Sequence, residues 1–407
     1  MPPSNLRPRT LAVLTLLATG SLCLAGCASS GTTSSSSAPS GGATQVKVTL
    51  AAGSNGDACT LDTSSVPAGP VTFTVSNTSA TGITEVELLS QQRIIGEKEN
   101  LAPGLKPVSF TLTLGGGTYQ LSCPGGEKEL QKFTVTGKAA KATGSVQSIL
   151  KQGTTGYAAY VKNDVASMVT AVDNLATAID AGNVEQAKTD YALARPFYER
   201  IESDVAGFVL PGFAATDNSG NLDYLIDMRQ SNLDPAAGWH GFHAIERDLY
   251  QAGAITDSTK KLAAELQTNV GKLNGLVKNL TYKPEDLANG AAGLLEEVQT
   301  SKIKGEEEAF SHLDLVDFAA DVEGAQQAFA FLRPGLTKID PDLTAHVTKQ
   351  FAQVLTMLDG YKDASVPGGY QLYTPQLRTS DANKLSQSVQ ALQDPLSKIA
   401  EKVATAN

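Results

Sequence analysis

The hydrophobic and polar positions follow two different periods in two regions of the chain. From Gln45 onward, short runs alternate between polar residues and β-branched or aromatic ones, as at residues 46–50, 71–75 and 109–114. Alternation with period two, interrupted by glycine- and proline-rich breaks, is typical of strands that bury one face. The pattern therefore predicts a small all-β sandwich over residues 45–137.

The second region, from about residue 146, has apolar positions spaced by three and four, which is the period of an amphipathic helix. The first apolar stripe consists of Tyr157, Tyr160, Val161, Val165, Met168, Val169, Val172, Leu175 and Ile179. Further helices are predicted at residues 184–206, 240–252, 256–279, 284–300, 314–332, 341–362 and 380–404. After a linker at residues 138–145, we therefore predict an all-α domain over residues 146–407.

A short internal repeat bears on the number of helical bundles. Arg195-Pro196 and Arg333-Pro334 occupy matching places late in two helical stretches, and the residues around them align without gaps. Duplication of this kind favours two helical bundles. The alternative is one larger helical domain.

The beginning of the chain has the layout of a secretory signal: two arginines, an apolar run at residues 11–24, and then Leu-Ala-Gly-Cys. The run is shorter than the roughly 20 residues that a membrane-spanning helix needs. Because the last four residues resemble a bacterial lipobox, we predict a lipoprotein signal peptide at 1–27, with cleavage before Cys27 and lipid on that residue. Residues 28–44 are rich in Ser, Gly, Thr and Ala and are predicted to be a flexible tether.

The charge balance limits the class of partner. Removal of residues 1–27 takes away Arg7 and Arg9 and no acidic residue, so the formal net charge goes from −10 to −12. We expect no nucleic-acid partner, because contacts to the phosphate backbone require Lys and Arg. An acidic protein suits cations better, although the same excess also keeps an exported protein soluble.

Two pairs of side chains in the helical region have the spacing of metal ligands. His243 and Glu246 lie three positions apart, as do Glu199 and Glu202, so each pair shares one face of a helix. Carboxylates that meet in a helical core repel one another unless a cation lies among them. The alternatives are pairing of the glutamates with Arg195 and Arg200, and a buried histidine with a structural hydrogen bond.

Oxygen-rich ligation with a single imidazole leaves Fe, Mn, Ca and Zn open. Iron is the best single choice, because bundle proteins of the di-iron type use a Glu-x-x-His step with glutamates on facing helices. The chain contains no His-Glu-x-x-His, no Gly-x-Ser-x-Gly and no phosphate-binding Gly-Lys-Ser/Thr motif.

A second candidate site lies in the β-region, where Cys59 and Cys123 are the cysteines left once Cys23 and Cys27 are assigned to the signal. Outside the cytoplasm such a pair usually forms a disulfide. The alternative is that both sulfurs bind a soft metal such as copper, helped by Glu87. All four histidines lie at residue 240 or later, so this region lacks the histidines of a blue-copper centre.

Several segments together resemble the EfeO-type iron-uptake lipoproteins, in which a cupredoxin-like domain precedes an imelysin-type helical domain. The segments are Glu-Lys-Glu-Asn-Leu-Ala-Pro-Gly at 97–104, Tyr-Glu-Arg-Ile-Glu at 198–202, Gly-Phe-His-Ala-Ile-Glu at 241–246, the run 290–298, and Gly-Glu-Glu-Glu at 305–308 with His312, Asp314 and Asp317. The His-x-x-Glu motif of the family falls on His243 and Glu246, and its Glu-x-x-Glu motif falls on Glu199 and Glu202.

The resemblance also implies further ligands. The Leu-Asp-x-x-Ile-Asp pattern of the family is similar to residues 222–227 and would make Asp227 a ligand, although the preceding segment 207–221 is longer than in the pattern. The run from Glu306 to Glu308 implies one more carboxylate, for which we choose Glu307 ahead of Glu306.

The resemblance implies a lipid-anchored protein on the extracytoplasmic face of a bacterial membrane that captures ferrous or ferric iron and hands it to a membrane iron permease. It implies a haem peroxidase as a second partner, and zinc as a surrogate ion. The expected role is binding and transport without bond chemistry. The alternatives are a ferroxidase that uses copper in the β-domain, and a zinc metallopeptidase of the imelysin type, which the missing second imidazole on the His243 helix disfavours.

Overall fold

The computed structural model describes residues 42–90, 93–139, 143–214 and 216–406. The predicted signal peptide, Cys27 and the tether up to residue 41 lie outside the described residues. Within these ranges, no helix combines the length and the apolar character that crossing a bilayer requires.

The described residues of the first region form nine strands in two layers. The strands are β1 (Thr44–Ala52), β2 (Asp57–Leu61), β3 (Ser65–Pro67), β4 (Gly69–Asn77), β5 (Val86–Ser90), β6 (Arg93–Lys98), β7 (Val108–Leu114), β8 (Gly117–Ser122) and β9 (Leu130–Thr136). One sheet has the order β2-β1-β4-β7 and the other has the order β3-β9-β8-β5-β6. The predicted β-sandwich is confirmed.

The sandwich forms because its strands alternate as the sequence predicts. Along β1, Val46, Val48 and Leu50 are buried, whereas the residues between them are exposed. Inside the sandwich the rings of Phe73 and Phe110 stack with their centroids 5.1 Å apart. Apolar side chains from both sheets thus form the core of this region.

The second region is helical, as predicted. Its helices are α1 (Ser145–Asp180), α2 (Val184–Glu199), α3 (Glu202–Val205), α4 (Leu222–Asp227), α5 (Gly241–Glu246), α6 (Asp257–Leu276), α7 (Pro284–Thr300), α8 (Asp314–Ile339), α9 (Pro341–Asp359), α10 (Pro375–Leu396) and α11 (Ile399–Thr405). Helix α1 packs against α2, α6 and α8, and α7 packs against α8, α10 and α11. One hydrophobic cluster runs through both groups, so the helical region has one continuous core.

Helix α7 contacts the sandwich along β7, which lies at the edge of its sheet. The side-chain amide of Asn289 donates to the carbonyl of Thr111 at 2.7 Å and accepts from its N–H at 3.4 Å. The N–H of Thr113 donates to Glu285 at 2.9 Å, and the ammonium of Lys283 donates to the carbonyl of Thr113. Side chains of a helix thereby satisfy main-chain groups that an edge strand leaves unpaired.

Cys59, on β2, and Cys123, which follows β8, are joined in a disulfide. This is the form that the sequence favoured for the pair. Both sulfurs are bonded to each other, so the copper-type alternative with Glu87 would require the reduced pair.

Candidate metal site

The carboxylate of Asp227 and the imidazole of His243 are brought together by two short helices, α4 and α5. Helix α5 begins at Gly241, which has a φ of +66°, and a Cβ at this residue would collide with the carbonyl of Ile226. Glycine therefore lets the first turn of α5 lie directly against the end of α4. As a result, His243 Nε2 lies 3.5 Å from Asp227 Oδ1.

The orientation of the His243 ring is set by Glu246. His243 Nδ1 donates to Glu246 Oε2 at 3.0 Å, and Glu246 Oε1 accepts the backbone N–H groups of Phe310 at 2.8 Å and Ser311 at 2.7 Å. The other ring nitrogen, Nε2, is buried and has no hydrogen-bond partner. It faces Asp227 and also Glu307, whose Oε1 lies 3.5 Å away. A carboxylate on one nitrogen and an open second nitrogen is the usual arrangement of a metal-binding histidine.

The helix that carries His243 and Glu246 does not end at Glu246. It continues as one π-helical turn over Arg247–Gln251. Single π-turns inside helices are frequent at functional sites.

Glu199 and Glu202 do not share one regular helix. Helix α2 ends at Glu199, and Glu202 begins α3, so the predicted helix 184–206 is interrupted at residues 200–201. A Cβ at Gly324 of α8 would collide with the carbonyl of Arg200, so α8 approaches the backbone at this break. Both glutamates nevertheless point at one group, the Lys302 ammonium, which lies 2.5 Å from Glu199 Oε2 and 3.5 Å from Glu202 Oε2.

The remaining acidic groups come from α7, from the loop before α8 and from α8 itself. The buried carboxylates of the cluster are Glu199, Asp227, Glu246, Glu297, Glu307, Glu308, Asp314, Asp317 and Asp321, and its buried basic groups are Arg195, His243 and Lys302. The Arg195 guanidinium forms ion pairs with Glu199, Asp227, Glu307, Glu308 and Asp317. Buried carboxylates thus outnumber the buried basic side chains by a wide margin, which is costly without a further cation or bound protons.

The carboxylates of the cluster differ in their pKa, which is raised for some of them and lowered for others. Burial raises the pKa of Glu199 to about 8, although Arg195 and Lys302 oppose this effect. For Glu307 burial also acts to raise the pKa, but Arg229 and Lys302 outweigh it and hold the value well below its usual range. Arg195 and His243 likewise outweigh burial at Asp227 and lower its pKa. Asp227 and Glu307 are therefore ionised at neutral pH.

For His243 the opposing influences are also large. Burial and the nearby Arg195 act to lower its pKa, whereas Asp227 and Glu246 raise it well above the usual value. In the absence of a metal, both ring nitrogens of His243 therefore carry a proton. An incoming cation would replace the proton on Nε2.

The six residues that the sequence proposed as ligands, Glu199, Glu202, Asp227, His243, Glu246 and Glu307, all lie in this cluster. Sets of ligand atoms within 4.8 Å of one another include Asp227, His243 and Glu307, and also His243, Glu246 and Glu308. Sequence reasoning did not single out Glu308, Lys302 or Asp321 for a role. The two cysteines and Glu87 form no such set with one another in the described ranges.

A cleft of about 80 Å³ lies between the sandwich and the helices next to the cluster. Its polar lining includes Glu97, Lys98, Glu99, Glu202, Asp223 and Arg229. Burial and the neighbouring Glu87 raise the pKa of Glu85, close to this cleft, to about 7. Glu202 lines this cleft and its Oε2 lies 3.5 Å from the Lys302 ammonium, so the cleft reaches the edge of the cluster.

The sequence profile of the imelysin family matches residues 153–399, a range that contains the whole cluster around His243. The chain belongs to the imelysin family and, within it, to the EfeO-type proteins that its motifs resemble.

Three relatives bear the name "Iron uptake system component EfeO" and come from Escherichia coli strain K12, Shigella flexneri and Escherichia coli O157:H7. Each is 34% identical to this chain over 360 residues, which cover 87% of the chain and 90% of the relative. The similarity thus extends through the sandwich as well as the helices.

Proposed function

We propose that this protein is an extracytoplasmic iron-binding lipoprotein that captures iron in the buried carboxylate cluster and delivers it to a membrane iron permease. The observation that carries the proposal is the single imidazole nitrogen, His243 Nε2, which is buried without a partner and faces two ionised carboxylates. The relatives with the name of iron uptake system component support iron as the cargo.

In this proposal the ion contacts His243 Nε2, Asp227 and Glu307. Glu199 lies beside them, since one of its oxygens falls in a set with Glu307 and Asp317. Glu246 acts on the ion indirectly, because its two oxygens already accept hydrogen bonds from Nδ1 and from two backbone N–H groups. Carboxylate oxygens with one imidazole suit iron in either common oxidation state.

The Arg195 guanidinium has to yield part of its contacts when the ion binds. It pairs with Asp227 and Glu307, which are the same carboxylates that would hold the metal. The Arg195 guanidinium would keep its ion pairs with three further carboxylates, so it would stay in the cluster. These carboxylates are Glu199, Glu308 and Asp317.

The other parts of the chain give this site its context. The lipid on Cys27 and the tether at 28–44 would hold the protein at the outer face of the membrane, near a permease and a haem peroxidase. The cleft between the sandwich and the helices would admit iron to the cluster. The sandwich would serve as a docking surface, or as a second metal site if Cys59 and Cys123 are reduced.

Anaerobic calorimetric titration of ferrous iron tests the proposal. His243→Ala removes the open nitrogen, and we expect the iron affinity to fall on the order of 10–100-fold or more, as for other losses at metal sites. His240→Ala is the matched control, since His240 is three residues away and its ring bonds Glu265 and the carbonyl of Ala237. Equal iron affinity in His243→Ala and the wild type would remove the cluster as the capture site.

A further inference from the structure

A second group of carboxylates lies beside the His243 site and surrounds a lysine. One oxygen each from Glu199, Glu202 and Asp321 lie within 4.8 Å of one another. The Lys302 ammonium is placed among them, 2.5 Å from Glu199, 3.5 Å from Glu202 and 3.7 Å from Asp321. A cation of the protein thus lies where three carboxylates could hold a metal ion.

Asp321 supplies an independent sign that this place takes a ligand. Its side chain is fully buried on α8, and neither carboxylate oxygen has a hydrogen-bond partner. Its ion pair with Lys302, at 3.7 Å, is too long for a hydrogen bond. A buried carboxylate in this state loses its hydration without a replacement, unless a better partner binds.

We propose that Glu199, Glu202 and Asp321 form a second cation position, and that the Lys302 ammonium holds this position until a divalent or trivalent metal ion displaces it. The inference rests on the proposed function, because it assigns the same cluster a second place for its cargo.

The chemistry of the two buried basic side chains shows why lysine is the one that gives way. Lysine carries a compact single charge at the end of a flexible four-carbon stem. Arg195 in contrast holds five carboxylates with a planar fork, and its guanidinium lies 5.2 Å from the centre of the Phe242 ring. A divalent ion also compensates more negative charge than the ammonium that it replaces.

Shared carboxylates join the second position to the first. Glu307 Oε1 lies 3.5 Å from His243 Nε2 and 3.5 Å from Lys302 Nζ. Glu199 offers one oxygen to Arg195, beside the first position, and the other to Lys302. Bundle proteins that hold two metal ions place glutamates in this way, with each bridging carboxylate shared by both ions.

The second position is also the one nearer to solvent. The side chain of Glu202 is 14% exposed and lines the cleft, whereas Asp227 and His243 are almost fully buried. An ion that comes from the cleft therefore meets Glu202 before it reaches His243.

Equilibrium dialysis against ferrous iron without oxygen, followed by elemental analysis of metal per chain, tests the inference. We expect Asp321→Asn to lose one ion per chain relative to the wild type. Glu323→Gln is the matched control, because it neutralises a carboxylate on the same helix that lies outside the cluster, where Glu323 is paired with Arg200. Lys302→Met should bind the second ion at least about tenfold more tightly, since no ammonium has to be displaced.

The outcomes separate this inference from the proposed function. Equal metal content and affinity in Asp321→Asn and the wild type, together with loss of iron in His243→Ala, would overturn the second position and leave the first. If Asp321→Asn does not fold, Lys302→Met decides alone, and a second affinity that is unchanged or weaker refutes the inference. Iron binding that is insensitive to His243→Ala would instead refute the proposed function.

Discussion

Gly241 allows a sharp test of how the backbone builds the site. We expect Gly241→Ala to destabilise the protein for two reasons. Its φ of +66° costs an L-residue about 1–2 kcal/mol. The added Cβ also collides with the carbonyl of Ile226, and relief of such overpacking costs about 1–3 kcal/mol more. The expected loss in the free energy of unfolding is therefore about 2–5 kcal/mol.

Gly238 offers a control in which only the first cost applies. It has a φ of +90°, and a Cβ at this residue would have no heavy atom within 4 Å. Gly238→Ala should therefore lose about 1–2 kcal/mol. The difference between the two variants measures the collision at the α4–α5 contact.

The collision at Gly241→Ala should also change the positions of the metal ligands. Relief requires α5 to move away from the end of α4, which separates His243 from Asp227. We expect iron affinity to fall about tenfold or more in Gly241→Ala, equivalent to about 1.4 kcal/mol, and to be unchanged in Gly238→Ala. Urea unfolding and anaerobic iron titration give both quantities. Equal stability and equal iron affinity in the two variants would refute this account of Gly241.

Two further predictions concern protons and the disulfide. Burial raises the pKa of Glu199 and that of Asp314 to about 8 in the folded chain, above their ordinary values of 4.5 and 3.8, so the folded state binds more protons between these values. The free energy of unfolding of the iron-free protein should therefore fall as pH rises from about 5 to 8, and Asp314→Asn should flatten the slope; urea titrations that show a rise would contradict this. Replacement of both Cys59 and Cys123 by serine should lower the free energy of unfolding by about 2–4 kcal/mol, because the bond closes a long loop. Thermal unfolding measures this loss of stability, and an unchanged midpoint would contradict the prediction. The iron affinity of the double variant should equal that of the wild type.

The strands and most of the helices could be predicted from the local pattern of apolar residues. Period two predicted the strands, and spacings of three and four predicted most helices. The predicted helix 314–332 was too short, since α8 continues through Pro334 to Ile339. The predicted helix 184–206 was too long, because the break after Glu199 coincides with the close approach of α8 at Gly324. A contact between distant segments is not visible in a local period.

The site was predictable in part for the same reason. The separation of three positions was enough to identify His243 and Glu246 as candidate ligands. The same spacing identified Glu199 and Glu202. A further signal was present on α8, where Asp314, Asp317 and Asp321 recur at helical spacing in an otherwise apolar stretch. It would have identified Asp321. Lys302 lies on a short 3₁₀ turn after α7, and no pattern in the chain points to it.

The contact between α7 and β7 has a consequence for how such sequences can vary. The hydrogen bonds across this contact join side chains of Asn289, Glu285 and Lys283 to main-chain atoms of the strand. They therefore do not involve the side chains of the strand. Thr113 could therefore be replaced by many residues other than proline, which lacks the N–H, whereas Thr111 is buried and its hydroxyl is hydrogen-bonded to Thr72. A one-residue insertion in β7 would shift every bond of the junction, so these bonds constrain the length of the strand more strictly than the identity of the residue at Thr113.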